Sequence, residues 1–362
     1  MGFLDDWSNT IQNSWPTAVA YILFLVLLVI GIFFLVKFCD LFVGAASNIA
    51  VKMHISPMIV GLTVVAMGTS CPELAVSVSD SIACLGNPLA QANVALGNVV
   101  GSNIANILLV LGFSAIFTPI IIKKTTLKKE FPILIFVSLV LVFFGILFGT
   151  SGVITGNYAI LRWEGIIFCV LMVAYIAFLV IDAKRHPEEA MEEDESIKPM
   201  KLWVAVVLVI VGAVGIALGG EFVTFGAKGL AMKTASLAGW DHNLTESLVG
   251  LTVVAVGTSL PELVTSIVAA KKGQNELALG NVIGSNIFNI LFVLGIASVV
   301  NPLTTGSQIV VDLIIMMSIT LLLFGLAFTK KLGKKTGFLF LAIYVLYLTY
   351  LILRTVGVFP QF

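Results

Sequence analysis

Apolar residues fill this chain in long runs, each near the ~20 residues that a helix needs to cross a bilayer. Ten runs are readable, near 17–46, 57–84, 91–117, 130–149, 161–183, 202–232, 244–270, 276–300, 308–329 and 336–356. Polar positions collect between them. Ahead of the first run, Phe3, Leu4, Trp7, Ile11 and Trp15 recur near helical spacing in a polar stretch, which predicts a short helix lying in the membrane interface. At the midpoint, Ala183 to Met200 holds Glu188, Glu189, Glu192, Glu193, Asp194 and Glu195, a solvated hinge too short for a folded domain. The expected organisation is an interfacial segment at 1–16, five helices over 17–183, an acidic linker at 184–200 and five more helices over 201–362. An odd number of crossings in each half inserts the halves in opposite directions. The fold class is therefore an all-α polytopic membrane protein of ten transmembrane helices in two inverted five-helix repeats, the plan of many secondary transporters.

Composition changes little in this picture. Of the 362 residues 59% are hydrophobic and 11% charged, against about 25% charged in soluble domains. Net charge is zero with no basic tract, so nucleic acid is excluded as a partner; the bilayer is the expected one, and no obligate protein partner is indicated. Cys39, Cys71, Cys84 and Cys169 lie in or beside apolar runs without a C-x-x-C spacing, as small packing residues do. The first Lys or Arg is Lys37, so the basic start of a cleavable signal is missing. Charge also orients the chain. With the N-terminus outside, 15 of the 20 Lys and Arg fall on inner connections, among them Lys123, Lys124, Lys128, Lys129, Lys271, Lys272, Lys330 and Lys331. This places both termini outside and the linker in the cytoplasm of a cell bounded by this membrane.

One stretch occurs twice. Gly68-Thr69-Ser70-Cys71-Pro72-Glu73 returns as Gly257-Thr258-Ser259-Leu260-Pro261-Glu262. Each is followed by a second signature, Gly101-Ser102-Asn103-Ile104-Ala105-Asn106 and Gly284-Ser285-Asn286-Ile287-Phe288-Asn289. A Glu inside an apolar run is costly, and two at equivalent places imply use. Ala66, Thr69, Ser70, Glu73 and Ser77 share one helical face, repeated by Ala255, Thr258, Ser259, Glu262 and Ser266. Pro72 and Pro261 displace the carbonyl four residues back, so each helix should break there and present backbone oxygens of Ala66 to Thr69 and Ala255 to Thr258. Gly97, Gly101, Gly280 and Gly284 form faces for tight helix crossing.

The convergent set is oxygen only: Glu73, Glu262, Asn106, Asn289, Ser102, Ser285, and hydroxyls or carbonyls of Ala66, Thr69, Ser70, Ala255, Thr258 and Ser259. His54, His186 and His242 lie near run ends. Such a set suits Ca²⁺ or Na⁺ rather than a soft metal. Two carboxylates balance one Ca²⁺ or two Na⁺, so loading one ion expels the other. Both ions are then substrates, and no organic cofactor is called for. Ser77, Ser266, Asn98 and Asn281 read as helix-to-helix glue. Asp80 reads as solvated near a run end. Asp40, Glu221 and Asp312 are intramembrane acids with no partner evident in the sequence. No nucleophile–base pair suggests an enzyme.

The doubled Gly-Thr-Ser-x-Pro-Glu and Gly-Ser-Asn-Ile-x-Asn signatures resemble the paired α-repeats of the calcium/cation antiporter superfamily, in its sodium/calcium exchanger branch. The resemblance implies Ca²⁺ on Glu73, Asn106 and Glu262. It implies Na⁺ on Ala66, Thr69, Ser70, Ser102, Ala255, Thr258, Ser259 and Ser285 with the two Glu. It implies alternating access, with the helices near 17–46 and 202–232 sliding past the site. Asn289 stands where potassium-dependent members carry Asp, which argues against K⁺ co-transport. Coupling to H⁺, another divalent cargo, and a cation channel are the alternatives.

Overall fold

The computed structural model describes residues 11, 15–53, 55–85, 93–148, 157–185, 200–238, 255–306 and 308–356. The proposed interfacial helix, the acidic run of the linker and His54, His186 and His242 lie outside these residues, wholly or in all but Ile11 and Trp15.

Helix follows apolar run almost throughout. In order the helices are α1 (Thr17–Met53), α2 (Pro57–Thr69), α3 (Cys71–Ala83), α4 (Ala95–Phe117), α5 (Lys124–Ile146), α6 (Arg162–Arg185), α7 (Leu202–Leu237), α8 (Ala255–Thr258), α9 (Leu260–Lys271), α10 (Asn275–Val300), α11 (Gln308–Ala327) and α12 (Lys334–Thr355). Eight are long and apolar enough to cross a membrane alone. The pair α2 and α3, bent by 48° at Ser70, makes a ninth candidate span when taken as one. The run expected at 244–270 is described only from Ala255. The chain is thus a multi-pass helical membrane protein with eight or nine candidate spans among the described residues.

The all-α expectation needs one amendment. Two small antiparallel ribbons join the halves: β1 (Ile120–Ile121) with β4 (Lys331–Leu332), and β2 (Asn157–Ile160) with β3 (Leu303–Gly306). Strands this short between helices carry no readable period.

Burial separates two layers. In α4 and α10, 83% of the apolar window is buried, against 22% in α1 and 28% in α7, so α4 and α10 form the centre and α1 and α7 the outside. α1 and α7 cross backbone to backbone. A Cβ at Gly31 would lie 2.7 Å from the Val223 nitrogen, and one at Gly219 would lie 3.0 Å from the Gly31 carbonyl. Their other faces expose Ile22, Leu25, Val29 and Phe33 on α1, and Trp203, Val207, Ile210 and Val214 on α7, as a lipid-facing surface does.

Three charges expected to be alone or solvated are engaged. Asp312 is bound by Arg354, with Nη1 2.9 Å and 3.1 Å from its two oxygens. Asp40 pairs with Lys272 at 2.7 Å. Asp80 accepts the Ala95 N–H at 3.1 Å, capping the first turn of α4 from another helix. Each partner is remote in sequence, or a helix away, and so was not readable.

Candidate functional site

Ser56 starts α2 by accepting the Ile59 N–H at 3.3 Å, with Pro57 in the first turn where its missing donor costs nothing. A π-helical turn at Gly61–Val65 follows, then the break at Ser70 with φ −86° and ψ 9°. Ser259 repeats the break at φ −86° and ψ 0°, and Pro72 and Pro261 sit in the first turn of the helices that resume. The expected exposure of backbone oxygens is only partly met. The Ala66 carbonyl still accepts the Ser70 N–H at 3.0 Å, and the Met67 carbonyl accepts the Cys71 thiol at 3.2 Å. The Thr69 hydroxyl also reaches the Ala66 carbonyl at 3.3 Å, so this oxygen is engaged within its own helix.

α2 is pressed against α10 by the glycines singled out for it. A Cβ at Gly280 would lie 2.7 Å from the Met58 carbonyl, and one at Gly284 would lie 2.7 Å from Leu62 Cα. This brings the second half's Asn and Ser side chains to the first half's break. Thr69 Oγ1 lies 3.1 Å from Asn281 Oδ1, and Ser70 Oγ donates to Glu262 Oε1 at 3.1 Å. Ser102 hydrogen-bonds the Glu73 carboxyl. Glu73 and Glu262 are 1% and 0% exposed, so neither acid faces lipid.

The expected glue residues behave alike in both halves. Asn98 Nδ2 reaches Ser77 Oγ at 3.2 Å and the Glu73 carbonyl at 3.4 Å. Asn281 Nδ2 reaches Ser266 Oγ at 2.9 Å and the Glu262 carbonyl at 3.4 Å. Each holds the backbone of its acid-bearing helix. Two candidate residues were missed. Asn286 Oδ1 takes Asn106 Nδ2 at 3.2 Å, and Asn103 Oδ1 takes Asn289 Nδ2 at 3.3 Å. The amides of Asn106 and Asn289 are thereby each held nitrogen-first by the other half. The available signal was the third residue of each Gly-Ser-Asn motif, three before the Asn it holds in the opposite copy.

What remains unpaired at these motifs is mostly oxygen, with Asn286 Nδ2 the exception among the described residues. Glu73 Oε2, Glu262 Oε2, Asn106 Oδ1, Asn289 Oδ1, Ser259 Oγ and Ser285 Oγ are buried with no hydrogen-bond partner. Buried polar atoms rarely stay unsatisfied, so each calls for an explanation. Asn106 and Asn289 each open a π-helical turn, Asn106–Val110 and Asn289–Val293, and such turns are frequent at functional sites. Of the remaining members, Thr69, Ser70, Ser102 and Thr258 are buried as well, whereas the side chain of Ala255 lies outside the described set. Among the described residues no group of three or more His, Cys, Asp or Glu converges, which leaves a mixed carboxylate, amide and hydroxyl set as the candidate cation site.

Comparison with known proteins places this geometry. A family model described as sodium/calcium exchanger protein matches residues 23–181 and 204–353. The sodium/calcium exchanger MaX1 of Methanosarcina acetivorans is 32% identical over 91% of this chain and 98% of its own length. CaxA of Alkalimonas amylolytica, named as a candidate antiporter, is 36% identical over 85% of this chain and 90% of its own. The solved sodium/calcium exchanger from Methanococcus jannaschii superposes with a TM-score of 0.73 at 30% identity, covering 91% of this chain and 98% of that one. With matches of this extent on both sides of the linker, the chain belongs to the sodium/calcium exchanger family.

Proposed function

We propose that the chain is a Na⁺/Ca²⁺ antiporter whose ions meet the protein at Glu73, Glu262, Asn106, Asn289, Thr69, Thr258, Ser70, Ser259, Ser102, Ser285, Ala66 and Ala255. The observation that carries this reading is the set of six buried oxygens without partners, drawn from both halves. Hard cations are the partners that buried oxygens of these kinds suit, and Ca²⁺ takes 6–8 oxygens in its shell. Two carboxylates in a desolvated site require two positive charges. One Ca²⁺ or two Na⁺ meet that need, and they cannot do so together. Competition for one pair of charges is the coupling: the site is rarely empty of cation, so reorientation carries one ion in exchange for the other.

The ten-helix inverted plan is part of the proposal, and the ribbons support it. β1 pairs with β4, so both lie at one membrane face, and the chain between them crosses an even number of times. Five long helices lie between them among the described residues, α5, α6, α7, α10 and α11, so an even count calls for one more crossing and supports the run expected at 244–270. The β2–β3 ribbon demands the same at the opposite face, where α6, α7 and α10 alone would give an odd count. Adding that crossing to the nine gives ten. The face of β1 and β4 carries Lys123, Lys124, Lys330 and Lys331, which supports its being cytoplasmic. At that same face α1 is tied down. Lys272 holds Asp40, Ser47 donates to Gln274 at 2.7 Å, and the Met200 N–H donates to Asn48 at 3.1 Å. With α1 and α7 as the sliding gate, these ties shut the cytoplasmic path in this conformation.

The test is ⁴⁵Ca²⁺ uptake into proteoliposomes under Na⁺, H⁺ and K⁺ gradients imposed one at a time. Uptake driven by the Na⁺ gradient alone, and lost in Glu73→Gln and in Glu262→Gln, is the expected result. Full activity in either variant refutes the site, and uptake driven by a pH gradient without Na⁺ refutes the coupling ion.

A further inference from the structure

α1 meets the helix that carries Glu262 through side chains at successive levels. Near its middle, Cys39 Sγ and Thr265 Oγ1 lie 3.2 Å apart, both fully buried, about one turn beyond Glu262. Next, Lys272 Nζ reaches the Asp40 carboxylate at 2.7 Å and the Asp40 carbonyl at 3.0 Å. Towards the end of α1, Ser47 Oγ donates to Gln274 Oε1 at 2.7 Å. These bonds lie at the end of the molecule that carries β1, where Lys271 sits 4.6 Å over the ring of Phe117.

The first half has no match for these bonds at the equivalent positions. Pairing Glu73 with Glu262 sets Val76 at the place of Thr265, Ala83 at that of Lys272 and Leu85 at that of Gln274. None of these has a side chain that can hydrogen-bond, whatever α7 presents to it. The hydroxyls and the acid of this stretch of α3 are turned elsewhere or outward. Ser77 accepts from Asn98, Asp80 accepts the Ala95 N–H, Ser81 donates to the Ser77 carbonyl, and Ser79 is exposed. Burial follows the same division. Pro261 and Thr265 are buried, whereas Pro72 and Val76 are half-buried and Ala83 and Leu85 exposed.

Inverted halves alternate by exchanging surroundings, so the opposite conformation sets α7 against α3 as α1 is set against α9 here. Taking α1 and α7 as the sliding gate of the antiport reading, on which this rests, we propose that Cys39–Thr265, Asp40–Lys272 and Ser47–Gln274 form a one-sided latch. It holds the gate shut at the β1–β4 face, lacks a counterpart at Val76, Ala83 and Leu85, and parts in every exchange cycle. Cys39–Thr265 is the main rung, since breaking a bond in the interior leaves buried groups unsatisfied. Asp40–Lys272 adds less, because the Asp40 side chain is 63% exposed and solvent screens the pair. The latch thus sets how often each face finds the site open, without touching the ions.

A readout free of transport tests the latch separately from the antiport reading. In protein with Cys71→Ala, Cys84→Ala and Cys169→Ala, Cys39 is the remaining thiol, and N-ethylmaleimide reaches it when α1 lifts from α9. Asp40→Asn with Ser47→Ala leaves Cys39 and Thr265 in place and should speed its labelling about fivefold, the worth of one hydrogen bond. The second readout is Na⁺-driven Ca²⁺ uptake in intact cells and in inverted vesicles, which expose opposite faces. Thr265→Val, which copies Val76, should lower half-saturating Ca²⁺ about fivefold at the β1–β4 face and leave it equal or higher at the other. Adding Cys39→Ala to Thr265→Val should shift it no further, since both remove the same bond. Thermal unfolding checks that each variant is folded. Unchanged labelling overturns the latch, and so does a half-saturation that stays put at both faces or falls at both. Labelling as expected in a protein without Na⁺-driven uptake leaves the latch standing and sinks the antiport reading instead.

Discussion

Asn286→Ala tests how the site is aimed rather than what it contains. Asn286 is buried at 1% exposure, and its Oδ1 receives Asn106 Nδ2 at 3.2 Å. That bond leaves Asn106 Oδ1 free among the other unpaired oxygens. With alanine at 286 the amide of Asn106 has nothing to choose its orientation. Turned over, it presents an NH₂ group to the cation and removes one ligand. Restoring the oxygen-first orientation on binding costs about the worth of one neutral hydrogen bond, ~1 kcal/mol, rising to ~3 kcal/mol if the buried donor finds no substitute. At 1.4 kcal/mol per tenfold, that is a weakening of Ca²⁺ binding by about fivefold to about a hundredfold. The assay is ⁴⁵Ca²⁺ uptake at a fixed Na⁺ gradient over a range of Ca²⁺ concentrations. The half-saturating concentration should rise by that factor while the rate at saturating Ca²⁺ stays near the unaltered value. Thermal unfolding checks that the variant is folded. A folded variant with unchanged half-saturation refutes the claim that Asn286 orients a ligand.

Two further substitutions probe the frame. Gly284→Val should lower the melting temperature and cut Ca²⁺ uptake, since even a Cβ there lies 2.7 Å from Leu62 Cα and overpacking costs about 1–3 kcal/mol or more; a normal melting temperature would show that α2 and α10 can move apart freely. Arg354→Leu leaves Asp312 buried without its partner and should destabilise by about 3–5 kcal/mol, while Arg354→Leu with Asp312→Leu should recover most of that. Chemical denaturation in mild detergent reads both, and equal losses in the single and double variants would contradict the pairing.

Much of the plan was legible because the bilayer leaves few options. Apolar run length gives the helices, and Pro72 locates the bend at Ser70 to within two residues. The carboxylates announced themselves by cost, since Glu73 and Glu262 sit where acids are expensive. Orientation was harder. Asn103 and Asn286 share a motif with the Asn residues they hold, yet each acts across the repeat, and no local period encodes that. Asp312 looked alone because Arg354 is 42 positions away and on another helix. The Ala66 carbonyl looked available because a proline two residues beyond a break suggests a fully opened turn, whereas Ser70 closes it again. In each case the missing information was a neighbour brought by tertiary packing.

The ribbons also constrain how the molecule can be built. β1 waits for a strand made some two hundred residues later, since Ile120 faces Leu332. β2 likewise waits for β3, with Ile160 facing Leu303. Neither half can therefore fasten its own connections during synthesis, and each carries open strand edges until the other arrives. Pairings this distant in sequence are slow to close. They act as two clasps, one fastening 120–121 to 331–332 and the other 157–160 to 303–306, that hold the halves together, and neither includes α1 or α7.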